Sequence, residues 1–138
     1  MKRQSMILQE KGKIIPLKND AVPFSQLSKF RLNKLMIYEK SSILFINYDD
    51  IIYCQANSNY TIIFKTDNTK IITARCLKDI SQSINSNAFF RVHASYLVNI
   101  KYVTGLTKDT NWMMNLNDVT IPIARSRFDS FKSYLNIN

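Results

Sequence analysis

Ile51–Ala74 reads IIYCQANSNYTIIFKTDNTKIITA, and the way this stretch divides decides the fold. Short runs of Ile, Tyr, Phe and Thr alternate with joints of Asn, Asp, Ser and Thr. β-branched and aromatic side chains suit a pleated, half-buried surface, whereas short polar residues tolerate the dihedrals of tight turns. The stretch therefore divides into three antiparallel strands, IIYCQA, YTIIFK and KIITA, joined by NSN and by the hairpin turn TDNT.

The same alternation extends in both directions. Upstream, LMIY (Leu35–Tyr38) and ILFI (Ile43–Ile46) are two more strand-like runs, separated by EKSS and followed by NYDD. Downstream, CLKDISQSI places Leu77, Ile80 and Ile84 at i, i+3 and i+7, one face of a short amphipathic helix packed on the strands. KYVTGL, WMMNL and VTIPI restore the strand pattern, with Asn115–Asp118 as a polar turn between the last two. Pro122 cannot donate to a ladder and predicts an edge position or a bulge for the final strand. RFDSFKSYL repeats helical spacing at Phe128, Phe131 and Leu135, and so short a helix forms only by docking. The expected class is mainly β: an elongated antiparallel β-sheet sandwich with one short internal helix and a short C-terminal helix.

Residues 1–34 lack a sustained helical or strand period and read as a basic, partly ordered arm ahead of a domain over residues 35–138. The formal net charge is +9; residues 1–40 carry nine Lys/Arg against three Asp/Glu (+6), and residues 41–138 carry ten against seven (+3). Such a balance points to a polyanionic partner without separating DNA, RNA and acidic membrane. No apolar run approaches the ~20 residues that span a bilayer, and Glu10, Lys11 and Lys13 interrupt any signal-peptide core, so a cytoplasmic protein without membrane partners is expected. Cys54 and Cys76 lie in apolar surroundings without metal-ligand spacing and are expected to be buried, reduced thiols. Gly12 and Gly105 are the only glycines, which excludes phosphate loops and dinucleotide fingerprints. Neither a cofactor nor a metal is expected.

FFRVHASYLVNI (Phe89–Ile100) holds the one histidine. A catalytic His93 with Ser95 as nucleophile would need an orienting carboxylate, and none is placed by sequence. Zinc would need further ligands, yet the cysteines lie 39 and 17 positions upstream. Two readings stay open on the residues alone: a core-edge histidine satisfied by a backbone group, or one side of an extended stretch presenting Arg91, His93 and Ser95, anchored from behind by Phe90 and Val92. The loop ANSNY offers Asn57, Ser58, Asn59 and Tyr60, and IARSRF offers Arg125 and Arg127 directly after the last strand. Arg forks onto guanine N7 and O6 or bridges phosphates, and the hydroxyl and amide groups can donate to phosphate oxygens. Asp49 and Asp50 resemble the paired acids of a receiver domain, but they occupy a polar joint between strand-like runs and read as a solvated turn.

Together, YDDIIYCQANSNYTIIF, LKDI, FFRVHASYLVNIKYV and IPIARSRFDSFKSYL resemble the LytTR-type DNA-binding domain of bacterial transcriptional regulators, from about Leu35 to about Leu135. That resemblance implies an elongated fold of short antiparallel sheets that binds double-stranded DNA through loops reaching successive major grooves. It assigns Asn59 or Tyr60, Ala94 and Arg125 to base-facing positions, with Asn57 in the same loop. Arg91, His93, Ser95, Ser126 and Arg127 take mainly backbone-positioning roles. Two residues depart from the family pattern. Ala94 replaces a longer polar residue and offers only a methyl, suited to a thymine methyl; Cys76 replaces a frequent Ser cap and caps poorly. The implied function is a sequence-specific transcription regulator, not an enzyme, acting as a homodimer on repeated half-sites. The alternative is an interaction module that holds a partner regulator, with incidental DNA affinity. No receiver domain is expected within the chain, so control would come from abundance, a partner or dimerisation. The basic arm is expected to add nonspecific phosphate contacts.

Overall fold

The computed structural model describes residues 33–136. The expected arm therefore lies outside the described residues, apart from Asn33 and Lys34. Strands β1 (Lys34–Tyr38) and β2 (Ile43–Asn47) form a hairpin, and a 3-10 turn at Tyr48–Asp50 leads into β3 (Ile51–Asn57), β4 (Tyr60–Lys65) and β5 (Lys70–Thr73). Helix α1 (Leu77–Ser83) precedes β6 (Phe89–His93) and β7 (Tyr96–Asn99). A second 3-10 turn, Ile100–Tyr102, opens the meander β8 (Val103–Lys108), β9 (Trp112–Leu116) and β10 (Val119–Pro122), and α2 (Arg125–Leu135) ends the domain. All pairings are antiparallel: a two-stranded sheet β1-β2, a five-stranded sheet β5-β4-β3-β7-β6 and a three-stranded sheet β10-β9-β8. The mainly β class with two short helices is as expected, and Pro122 closes an edge strand.

The five-stranded sheet is the middle layer, because its residues alternate between two cores. Cys54 of β3 stands opposite Ile63 and Leu97, and all three pack with Leu35, Ile37, Ile46, Leu77 and Ile80 from the β1-β2 hairpin and α1. Its neighbour Tyr53 stands opposite Phe64 and Val98, on the side where Met114, Leu116, Ile121 and Phe131 pack from the three-stranded sheet and α2. The Tyr53 and Phe64 rings stack at 4.4 Å. A bulge between Ile51 and Tyr53 resets the alternation, so Ile51 faces the first core while both Ile52 and Tyr53 face the second.

Two polar devices tie the layers together. Asn99 is 1% exposed, and its Nδ2 donates to Tyr48 O (3.2 Å) and Ile51 O (3.0 Å) while its Oδ1 accepts from Lys101 N (3.1 Å). One buried amide thus satisfies backbone groups of both 3-10 turns and of β3. It also explains why KYVTGL begins its strand only at Val103: Lys101 and Tyr102 belong to the turn that Asn99 caps. Arg75 joins the hairpin to α1, donating to Met36 O (3.1 Å) and to Asp79 Oδ2 (3.1 Å). Asp49 and Asp50 form a polar joint as expected, with Lys101 Nζ 3.0 Å from Asp49 Oδ1.

Helix α2 starts at Arg125, three residues before its apolar spacing begins at Phe128, with Arg127 N donating to Ala124 O at 2.9 Å. It forms by docking: Phe131 is fully buried against Phe90 (5.2 Å between centroids), and Phe128 stacks on Trp112 at 5.1 Å. Among the described residues no helix is long and apolar enough to cross a membrane.

The cysteine expectation holds for one thiol and fails for the other. Cys54 is buried, but Cys76 is exposed at the residue before α1, where the chain has left the sheet; its side chain makes no cap hydrogen bond. Burial pushes the Cys54 thiol up to about 12. A thiol held protonated in the fold but free to ionise once unfolded leaves stability untouched below about 9 and lowers it as pH climbs from there to about 12. A thiol reagent is expected to modify Cys76 alone in the folded chain and both cysteines in denaturant; rapid labelling of Cys54 under native conditions would contradict its burial. Replacing Asn99 with Leu leaves two buried carbonyls without their donor and is expected to lower unfolding free energy by about 1–3 kcal/mol, measured by urea denaturation. An unchanged urea midpoint would mean that water replaces the amide.

Candidate nucleic-acid interface

Strand β3 runs toward its turn at Ser58–Asn59, and β7 runs away from its turn at Ala94–Ser95. These strands pair antiparallel, with Gln55 opposite Tyr96, so both turns emerge from the same end of the middle sheet. Ala56 N donates to Ser95 O at 2.9 Å and joins one turn to the other strand. On the far side of β6, Ala124 N donates to Val92 O at 2.8 Å, which brings the start of α2 to that same end. Ile123 N donates to Trp112 O at 3.1 Å, just after the β8-β9 turn.

The first turn is tight because Asn57 and Tyr60 still pair and Ser58 takes a φ of 60°, a left-handed conformation that an L side chain adopts only at a cost. Asn57, Ser58 and Asn59 are exposed, and Tyr60 is 52% exposed. In the second turn, a bulge between Arg91 and His93 controls which way the side chains face. Arg91 stands opposite Leu97, a residue of the first core, whereas His93 stands opposite Tyr96, which packs on the second. The expectation that Arg91 and His93 share one side is therefore corrected. The extra residue of the bulge turns His93 onto the Tyr96 side, where the rings meet edge-on at 5.7 Å.

His93 Nδ1 accepts from Ser95 N at 3.0 Å, in the place where a catalytic dyad would have a carboxylate. Neutral imidazole has one acceptor and one donor, so Nε2–H is the remaining donor. The half-buried ring thus has one nitrogen satisfied by backbone, as the core-edge reading expects, and keeps Nε2–H as its remaining donor. All of the carbonyls from Arg91 to Ser95 accept hydrogen bonds: Arg91 O from Arg127 Nη1 (3.3 Å), Val92 O from Ala124 N, His93 O from Arg91 Nε (3.2 Å), Ala94 O from Arg91 Nη2 and Ser95 O from Ala56 N. Burial first, and the neighbouring Arg127 charge second, pull the Arg91 guanidinium below its usual range.

In α2, Arg125 and Ser126 are exposed and Arg127 half-buried. No acidic residue lies in the first turn, and no side chain caps it. The positive end of the helix dipole thus coincides with two arginines, an arrangement that favours an anion.

A family model described as LytTr DNA-binding domain matches residues 41–136. The chain belongs to that family. The LytTr DNA-binding domain of a methyl-accepting/DNA response regulator from Bacillus cereus shares the fold, with a TM-score of 0.65 at 15% identity over 76% of this chain and 98% of that one. The heme-containing CO-sensing transcriptional regulator RcoM 2 of Paraburkholderia xenovorans (strain LB400) is 31% identical over 111 residues, 78% of this chain and 41% of that protein. The sensory transduction protein LytT of Bacillus subtilis (strain 168) is 26% identical over 137 residues, 97% of this chain and 56% of that one. The chain therefore spans about half the length of these two regulators.

Within the LytTr domain, Asn57, Asn59 and Tyr60 lie at one turn and His93, Ala94 and Ser95 at the next. Arg125, Ser126 and Arg127 lie at the start of α2, in helix and not in one of the loops through which the resemblance implies binding. Tyr60 shares a sheet face with Phe64, and His93 with Tyr96; α2 packs against that same face. Arg91 turns to the other face. Sequence reasoning missed Lys108, exposed beside the β8-β9 turn with its ammonium 5.9 Å from the Trp112 ring centre. A lysine before a polar turn is too ordinary a signal to have found it. Among the described residues no cluster of His, Cys, Asp and Glu could hold a metal ion.

The His93 geometry makes a spectroscopic prediction. Neutral His93 is expected to be the Nε2–H tautomer, read from its two ring-nitrogen NMR shifts; an Nδ1–H tautomer would show that the Ser95 hydrogen bond is not made.

Proposed function

We propose that this chain is a sequence-specific double-stranded DNA-binding transcription regulator, whose turns at one end of the middle sheet reach successive major grooves and the backbone between them. The observation that carries this reading is the convergence of the β3-β4 turn, the β6-β7 turn and the start of α2 at one end of a LytTr domain. Asn59 or Tyr60, Ala94 and Arg125 face bases in this reading, with Asn57 beside them. His93 through its Nε2–H, Ser95, Ser126 and Arg127 engage phosphates. Ala94 reads by its methyl alone, so its contribution is apolar contact with thymine. Two copies bind repeated half-sites, and a partner regulator or abundance sets activity. The basic residues ahead of the domain add phosphate contacts that carry no sequence information.

Duplexes selected by the chain from random DNA supply the test, with unselected duplex as competitor. A specific binder is expected to prefer its site by ~10³-fold or more; equal affinity for both would favour the partner-holding alternative. Arg125→Ala is expected to weaken specific binding by ~1–3 kcal/mol and to blur discrimination at one base pair. Arg127→Ala should weaken binding to every duplex alike and reduce the log–log salt slope by ~0.9. An Arg125→Ala loss of equal size on selected and random DNA would make that arginine a phosphate contact only.

A further inference from the structure

Arg91 differs from the other arginines at this end of the domain in what its guanidinium faces. Its stem lies on the first-core face, opposite Leu97, behind the strand that presents His93. From there Nε donates to His93 O at 3.2 Å and Nη2 donates to Ala94 O, so two adjacent donors of the planar head meet two successive carbonyls of the same turn. Arg127 closes the arrangement by donating from Nη1 to Arg91 O at 3.3 Å. We infer that Arg91 is a positioning residue, an internal clamp that fixes the β6-β7 turn so that His93 and Ala94 are presented in one geometry, and not a contact to the nucleic acid.

The chemistry of the turn explains why a clamp is needed there. Ala94 is exposed and has no polar side chain to hold it, and a methyl can read a base only by close contact, which tolerates little displacement. His93 is held from its other side by the Ser95 amide. Without the guanidinium, the carbonyls of His93 and Ala94 would turn to water, leaving the tip of the hairpin to the Ser95 bonds with Ala56 N and with His93 Nδ1. Lysine cannot substitute, because an ammonium is a point donor that does not span two carbonyls in a fixed plane. This inference rests on the DNA-binding reading for its purpose, though not for its geometry.

The test uses the full chain with Arg91→Lys, which keeps the charge, and Arg91→Met, which keeps the stem. In the free protein, the Ser95 amide is expected to exchange its hydrogen about tenfold faster in both variants, while the Cys54 and Ile63 amides in the middle sheet keep their protection. On a duplex selected by the unsubstituted chain, both variants are expected to bind about tenfold or more weakly with an unchanged salt slope, because no phosphate contact has been removed. Wild-type exchange in Arg91→Lys would overturn the clamp. So would a slope reduced by ~0.9 in Arg91→Met, the signature of a phosphate contact, or lost protection at Cys54 and Ile63, the signature of a fold-wide role. If the unsubstituted chain selects no duplex, the DNA reading falls and the exchange result alone decides the clamp.

Discussion

The centre of the middle sheet, β3 and β7, is buried on both faces, and the rest of the domain follows from that constraint. A sheet with one wet face tolerates polar residues at alternate positions, whereas β3 and β7 must supply an apolar side chain in each direction. Cys54 and Leu97 point to the hairpin and α1, and Tyr53 and Val98 to the three-stranded sheet and α2. A one-residue slip would exchange the two sets and set Tyr53 against a core packed around Cys54. Register is therefore specified twice, once from each face. Asn99, at the end of β7, adds a polar lock that no slipped register could satisfy.

A sheet held this firmly can carry turns with little freedom of their own. The five carbonyls from Arg91 to Ser95 are bonded to four parts of the domain: Arg91 O to α2, Val92 O to the residue before α2, His93 O and Ala94 O to the Arg91 side chain, and Ser95 O to β3. The tip that carries Ala94 is therefore fixed by its neighbours and not by its own sequence. Binding by such a tip loses less conformational freedom than binding by a loose loop, and this preorganisation favours close apolar and hydrogen-bonded readout.

The strand runs were legible because burial leaves a strong trace in a chain of short elements. YTIIFK and WMMNL coincide with β4 and β9, and the i, i+3, i+7 spacing of Leu77, Ile80 and Ile84 marks α1. The turns of the candidate site were legible as segments and through family resemblance. What stayed hidden was whatever depends on a partner distant in sequence. The two bulges follow from cross-strand register, and the one near His93 sends Arg91 to the opposite face. The late start of β8 follows from a cap supplied by Asn99, and the exposure of Cys76 from the direction in which the chain leaves β5. Helix α2 begins at Arg125 although its apolar spacing begins at Phe128, because its first turn is placed by Ala124 bonding to Val92 and has no core residue to mark it.

That first turn shows how local stability and the proposed function oppose one another. A helix N-terminus is stabilised by an acid or by a Ser, Thr, Asp or Asn cap, and cations there are unfavourable by about 0.3–1 kcal/mol each at the surface. Here the cap position is Ala124, and Arg125 and Arg127 occupy the first turn. An isolated peptide of this sequence would have every reason to fray at this end. The domain holds the turn instead through Phe128 on Trp112, Phe131 against Phe90 and the Ala124 bond to Val92. The resulting positive charge, kept in place by packing and left without an internal counterion in the helix's own first turn, is relieved when an anion arrives. In the proposed reading that anion is the DNA backbone, so binding stabilises the one element whose local sequence argues against it. A violation of local preference enforced by the surrounding fold is what a functional surface leaves behind in an otherwise self-consistent sequence.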